Sequence, residues 1–212
     1  MNTLLSAVFD VVAPPTCLAC REISSVSMEC GLCGRCSAAL SLPLRPVPSP
    51  DSVVRCWAMG EYGGVLGQLI RAAKYHRSLA AADQLGLWLG ERVAGVIDVD
   101  AIVPIPIPWI RRMRRGFDQS DRLAQSVARE SGLESLPLLF RKDTSRQVGK
   151  GAAARRELSP NVFGVRNRPM PSRVLLVDDV LTTGATIHAA SRQLQSHGVQ
   201  AVWAAVVADS RA

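Results

Sequence analysis

The sequence predicts an α/β protein: a parallel sheet covered on both faces by helices, with a small cysteine-rich module in front of it. Three observations predict this. Apolar runs in DAIVPIPIP (100–108), RVLLVDD (173–179) and VQAVWAAVVA (199–208) are continuous rather than alternating, as in strands buried on both faces, and helical patterns separate them. Five of the six cysteines fall between residues 17 and 36. Between the two regions, SLPLRPVPSPD (41–51) carries four prolines and reads as a semi-rigid extended linker. The expected organisation is therefore 1–50 for an N-terminal helix, cysteine module and linker, and 51–212 for the α/β domain.

Taken in order, MNTLLSAVFDVV (1–12) has apolar residues at helical spacing but no basic leader, carries Asp10 and meets Pro14-Pro15. It reads as a short amphipathic helix rather than a signal peptide, which makes the cytoplasm the default compartment. Cys17-x₂-Cys20 and Cys33-x₂-Cys36 form two knuckles twelve residues apart. Each turns two thiolates toward one point, the arrangement of a tetrahedral, structural Zn²⁺ site. Cys30 lies three before Cys33, so a Cys30-Cys33 knuckle is a competing register; Cys56 reads as structural.

Beyond the linker, Val65, Leu66, Leu69, Ile70 and Ala73 share one helical face, and Leu85, Leu87, Trp88 and Val93 mark a second helix. Lys74 sits at the end of the first, where a cation usually serves the helix dipole. The strand in DAIVPIPIP must end at its own prolines. An Arg-rich loop follows, then a helix in SDRLAQSVARESG with Ser120 as candidate N-cap and Gly132 as its stop. Residues 141–160 are polar, basic and without period. RVLLVDD, ATIHAASRQLQSHG and VQAVWAAVVA then read as strand, helix and strand. Trp57, Trp88, Trp109 and Trp203 read as core or edge packing, with Trp109 bordering the sheet end.

At 212 residues the chain can build one good core plus a small appendage. No run of about 18 apolar residues suggests a membrane span. Net charge is +7, with 22 Arg against 3 Lys. Arginine binds phosphate through two parallel hydrogen bonds, so the surplus suits phosphate-bearing partners, although genomic base composition explains the total equally well.

The chemistry concentrates in VLLVDDVLTTGAT (174–186). In open α/β sheets ligands bind where strands end and helices begin. Residues Thr182, Thr183, Gly184, Ala185 and Thr186 would leave backbone N–H groups at a helix start, a ready phosphate site. Asp178 and Asp179 would repel that phosphate, but suit hydroxyl groups or Mg²⁺. Phosphate at one end and a diol or metal at the other describe a ribose 5-phosphate. Neither GxxxxGK[ST] nor GxGxxG occurs, which argues against nucleoside triphosphatases and dinucleotide enzymes.

The string resembles the signature of type I phosphoribosyltransferases, which bind 5-phosphoribosyl-1-pyrophosphate (PRPP). IVPIPIPWIRRMRRGFDQSDRLA, the paired cysteines and YGGVLGQLIRAAKYH further resemble the ComF family, in the same order and over nearly the full length. One departure is Asp118, where that family usually carries Asn. The resemblance implies a type I phosphoribosyltransferase-like parallel sheet flanked by helices, plus a zinc-ribbon-like module. It makes Asp178 and Asp179 the catalytic pair on the ribose hydroxyls, one of them touching Mg²⁺, and residues 182–186 the 5-phosphate cradle. Ile105, Pro106, Arg111 and Arg115 would belong to a pyrophosphate loop, the alternative being an exposed basic loop. Arg141, Gln147 and Arg156 would belong to a flap that closes over PRPP and excludes water, the alternative being a basic surface loop. Implied partners are PRPP, an unidentified base or amine acceptor, and single-stranded DNA or competence machinery; a homodimer is a further expectation.

Overall fold

The computed structural model describes residues 15–23, 30–142 and 162–211. The expected helix over 1–12, and Gln147 and Arg156 of the expected flap, lie outside the described residues, as does the side chain of Arg115. Among the described residues no helix is long and apolar enough to cross a membrane.

After a short helix α1 (Gly34–Ala38) the chain lays down β1 (Arg45–Val47) and β2 (Cys56–Ala58), then helices α2 (Gly64–Tyr75) and α3 (Leu79–Val93). β3 (Ala101–Pro104), α4 (Trp109–Arg115), α5 (Gln119–Ser131) and β4 (Glu134–Ser135) follow. A ribbon of β5 (Leu139–Arg141) and β6 (Phe163–Val165) precedes β7 (Arg173–Leu181), α6 (Ala185–Gln195) and β8 (Ala201–Asp209). The main sheet has the order β1-β2-β8-β7-β3-β4, parallel throughout except for the antiparallel edge β1. β1 comes from the Pro-rich stretch, where Pro46 is tolerated because an edge strand leaves one row of N–H groups unpaired.

The apolar run of β7 resolves into two faces. Leu175 and Val177 join the core under α2, α3 and α5, with Leu69, Leu85 and Leu123. Val174 and Leu176 join the opposite core with Ile187 and Leu194 of α6, and with Leu138 and Phe163 flanking or within the β5–β6 ribbon. This alternation is the strand's period of two, and both faces are apolar because both carry helices. Cys17, Ala19, Leu32 and Cys36 belong to the α2–α3 core, so the cysteine module shares its apolar interior with the helices.

Two local readings change. The Arg-rich loop is helix α4, closed by Gly116 in the left-handed region. The N-cap of α5 is Asp118 rather than Ser120: its carboxylate accepts from the Ser120 and Asp121 N–H groups. Asp and Asn cap helices equally well, so the departure at Asp118 preserves this local bond.

Candidate functional site

The ends of β7 and β3 open into a cavity of about 470 Å³. Its walls include Asp178 and Asp179 from β7, Ile105 to Pro108 after β3, Arg111 of α4 and Arg141 of β5. Thr182 and Thr186 come from the turn into α6, and Tyr62, Lys74 and Tyr75 from α2 and the segment before it. The fold thus gathers sequence stretches more than a hundred residues apart onto one sheet end, the place where an open parallel sheet takes its ligands.

Asp179 continues the odd-numbered series of β7 toward α2, where the Lys74 ammonium lies 2.7 Å from its Oδ1. Both side chains are nearly closed to solvent, Lys74 at 17% and Asp179 at 11% exposure. Lys74 is therefore a member of the site and not simply a partner of the helix dipole, which corrects the sequence reading. Among the described residues no cation is in such contact with Asp178; its Oδ1 accepts the Asp179 N–H at 2.8 Å. Burial first, and then the neighbouring Asp179 charge, push the Asp178 carboxyl up to about 7, with the Asp179 N–H and Lys74 opposing.

The turn after β7 divides between two hollows. Thr182 and Thr186 line the carboxylate cavity, whereas Thr183, Gly184 and Ala185 line a neighbouring recess of about 320 Å³ with Pro50, His188 and Arg211. Gly184 is the N-cap of α6 at φ +81, a left-handed conformation glycine takes without penalty. Among the described residues no side chain caps the helix; Thr183 Oγ1 accepts the Ala185 N–H at 3.3 Å. The first turn of an eleven-residue helix thus keeps donors available to an anion.

On the β3 side backbone donors are scarce. Pro104, Pro106 and Pro108 have no N–H, and the Ile105 N–H is bonded to the Val177 carbonyl at 3.2 Å. Ile107 alone in this stretch offers a backbone donor, so any anion here depends on arginine. Arg111 and Arg141 supply two. The Arg141 guanidinium lies over the Phe163 ring at 5.4 Å from its centroid. Burial and then the Arg111 charge push its pKa down, and Asp178 holds it up. Arg112 faces an adjoining cavity of about 380 Å³ with Trp109, Asp118 and Phe140. Burial raises the Asp118 carboxyl above its ordinary range.

The second constellation is Cys17, Cys20, Cys33 and Cys36, whose sulfurs all lie within 4.8 Å of one another. Cys20 and Cys33 sulfurs are 3.8 Å apart, close to the roughly 3.8 Å edge of a tetrahedron with Zn–S bonds of about 2.3 Å. Cys30 is exposed and outside this group. Burial would raise the Cys17 thiol, but the N–H groups of Cys33, Cys20 and Ala19 bring it down to about 6; burial pushes Cys36 up to about 12. Such a closed four-sulfur cluster could hold zinc.

Sequence reasoning missed Lys74 and the two tyrosines. The available signal was a lysine at the cavity end of an otherwise apolar helix face, and it became specific only with α2 packed on the sheet.

A model described as the phosphoribosyl transferase domain matches residues 113–212, which run from α4 through β8. Competence protein F of Haemophilus influenzae is 31% identical over 200 residues, covering 89% of this chain and 82% of that protein. DNA utilization protein YhgH of Escherichia coli K12 is 28% identical over 200 residues, covering 87% and 84%. Among solved structures, glutamine phosphoribosylpyrophosphate amidotransferase from B. subtilis, complexed with ADP and GMP, superposes with a TM-score of 0.42 at 17% identity. That superposition covers 59% of this chain and 26% of the amidotransferase.

Proposed function

The chain belongs to the competence protein F family, and from that premise we propose that its sheet-end cavity binds PRPP and transfers the 5-phosphoribosyl group to an acceptor, releasing pyrophosphate. The observation that carries this reading is the Asp178–Asp179 pair in one cavity with Thr182, Thr186, Arg111 and Arg141. The 5-phosphate would sit on the first turn of α6, over residues 182–186, and the ribose hydroxyls on the two carboxylates. The pyrophosphate would face Arg111, Arg141 and the Ile107 N–H. The C1–O bond then breaks with its electron pair leaving on pyrophosphate. The acceptor's lone pair forms the new bond to C1, and the acceptor loses a proton to water. Arg111 and Arg141 stabilise charge as it develops on the leaving oxygens, and the cavity walls limit attack by water.

Mg²⁺ binds through one or two carboxylates together with substrate phosphates, and when bound it neutralises leaving-group charge. Asp178, which among the described residues no lysine contacts, is the residue that would hold it. Zn²⁺ would be held by Cys17, Cys20, Cys33 and Cys36 in a structural role, and the cytoplasm is the compartment in which both PRPP and reduced thiols are expected.

Calorimetric titration of PRPP with Mg²⁺ tests the reading. Wild type should bind, and Asp178→Asn/Asp179→Asn should weaken binding at least about a hundredfold, on the order of 3 kcal/mol. No affinity in wild type, or none lost in the variant, would sink it. A second reading is favoured by the relatives' names: a PRPP-sensing accessory of DNA uptake without catalysis. Pyrophosphate release across a panel of bases and amines separates the two, because a sensor binds PRPP and releases none. Metal analysis of the purified protein, repeated on Cys17→Ser, checks the zinc assignment: one equivalent is expected in wild type and its loss in the variant.

A further inference from the structure

The carboxylate pair at the end of β7 already has a cation. Lys74 reaches it from the last turn of α2, where the helix dipole favours positive charge, and ends 2.7 Å from Asp179 Oδ1. At 17% exposure Lys74 has given up most of its hydration, and Asp179 at 11% has given up nearly all of its own. Desolvation of this order persists in a fold only when each charge has a close partner. The lysine is held in place by its helix: Leu66, Leu69, Ile70 and Ala73 of α2 are buried against the sheet.

A divalent cation at Asp179 would therefore have to displace or tolerate an ammonium on the same carboxylate. Mg²⁺ sheds water reluctantly and demands near-octahedral geometry, so a carboxylate already neutralised at 2.7 Å is a poor ligand for it. A sugar hydroxyl has no such conflict, since it donates to a carboxylate oxygen and leaves the ion pair standing. Resting on the phosphoribosyl reading above, we propose that Lys74 is a positioning and specificity residue. It holds Asp179 oriented and charge-balanced for a ribose hydroxyl, so that the carboxylate pair takes 5-phosphorylated sugars without a divalent cation. The need for Mg²⁺ then enters with the pyrophosphate. Sugar monophosphates join PRPP as ligands of the cavity, which Tyr62 and Tyr75 also line.

The test is calorimetric titration of ribose 5-phosphate and of PRPP, each in Mg²⁺ and in EDTA, against wild type, Lys74→Met, Lys74→Gln and Lys74→Arg. Glutamine keeps an N–H donor to Asp179 without the charge, so it remains informative should Lys74→Met fail to fold. Wild type should bind ribose 5-phosphate equally, within about twofold, in Mg²⁺ and EDTA. Lys74→Met and Lys74→Gln should lose about tenfold or more in EDTA and regain part of it in Mg²⁺, while Lys74→Arg stays near wild type. A lysine that merely supports the fold would not create a dependence on Mg²⁺. A tenfold fall of wild-type ribose 5-phosphate affinity in EDTA overturns the proposal, as does unchanged, metal-independent binding by Lys74→Gln. PRPP binding persisting in those cases leaves the phosphoribosyl reading intact; absence of binding by both ligands in both buffers overturns the two together.

Discussion

Both ends of β7 bring a pair of acids against basic side chains and treat them in opposite ways. At the N-terminal end one cation, Arg173, serves two acids, Asp98 and Asp100, with contacts to both and a further bond from the Arg173 N–H to Asp100 at 2.8 Å. Solvent reaches all three, and the Asp98 side chain is 84% exposed. Hydrogen bonds from Arg173 hold the Asp100 carboxyl below its ordinary range. At the C-terminal end Lys74 contacts Asp179, Arg111 and Arg141 line the same cavity as the two acids, and burial dominates. Asp178 is pushed up to about 7. Neighbouring acids are harmless where water and a forked guanidinium reach their oxygens. Inside a cavity neighbouring acids leave a carboxyl that burial makes costly to ionise.

Substitutions on the two ends sharpen the contrast. Lys74→Ala should have the largest effect, destabilising the fold by about 3 kcal/mol in a denaturant titration, because it strands a buried carboxylate. An effect as small as that of Arg173→Ala would remove the distinction between the ends. Asp178→Asn comes next and depends on pH. The folded carboxyl at about 7 lies above the roughly 3.9 of an unfolded aspartate, so the native state holds more protons in between. Stability from this group is complete below the unfolded value and is lost as pH rises through about 7. The asparagine should therefore unfold about 1–3 kcal/mol later than wild type at pH 8, with the gain vanishing near pH 4, while PRPP affinity falls. Asp100→Asn should do least. Its lowered carboxyl contributes above the unfolded pKa and loses that contribution as pH falls. The variant should melt slightly earlier at neutral pH, match wild type in acid, and leave PRPP affinity unchanged.

What the sequence disclosed and what it withheld divide along a physical line. Strand, acidic pair, small-residue turn and helix in 174–195 are consecutive, so local pattern was enough to place them. The cysteine knuckles are local in the same sense, and their sulfurs converge as the spacing implied. Lys74 was illegible because its meaning depends on Asp179, 105 residues away, and on the packing of α2 over the sheet. β1 and β2 escaped because each is three residues long, and the first contains a proline that ordinarily argues against a strand. The N-cap was misplaced by two residues because Asp118 and Ser120 are both good caps, and only backbone geometry chooses between them.

The position of β8 has a consequence for the time course of assembly. It is made after every other strand of the main sheet, yet it lies between β2 and β7. During synthesis β2 has no neighbour to pair with on that side, and β7 keeps one edge open, until residues 201–209 have left the ribosome. Such late closure of distant pairs is slow and leaves apolar edges exposed meanwhile. The four clustered cysteines, by contrast, span only residues 17 to 36 and can close on a metal long before then. A nascent chain would thus carry its clustered cysteines ahead of an unfinished sheet, and β8 would then join β2 and β7 in a single step.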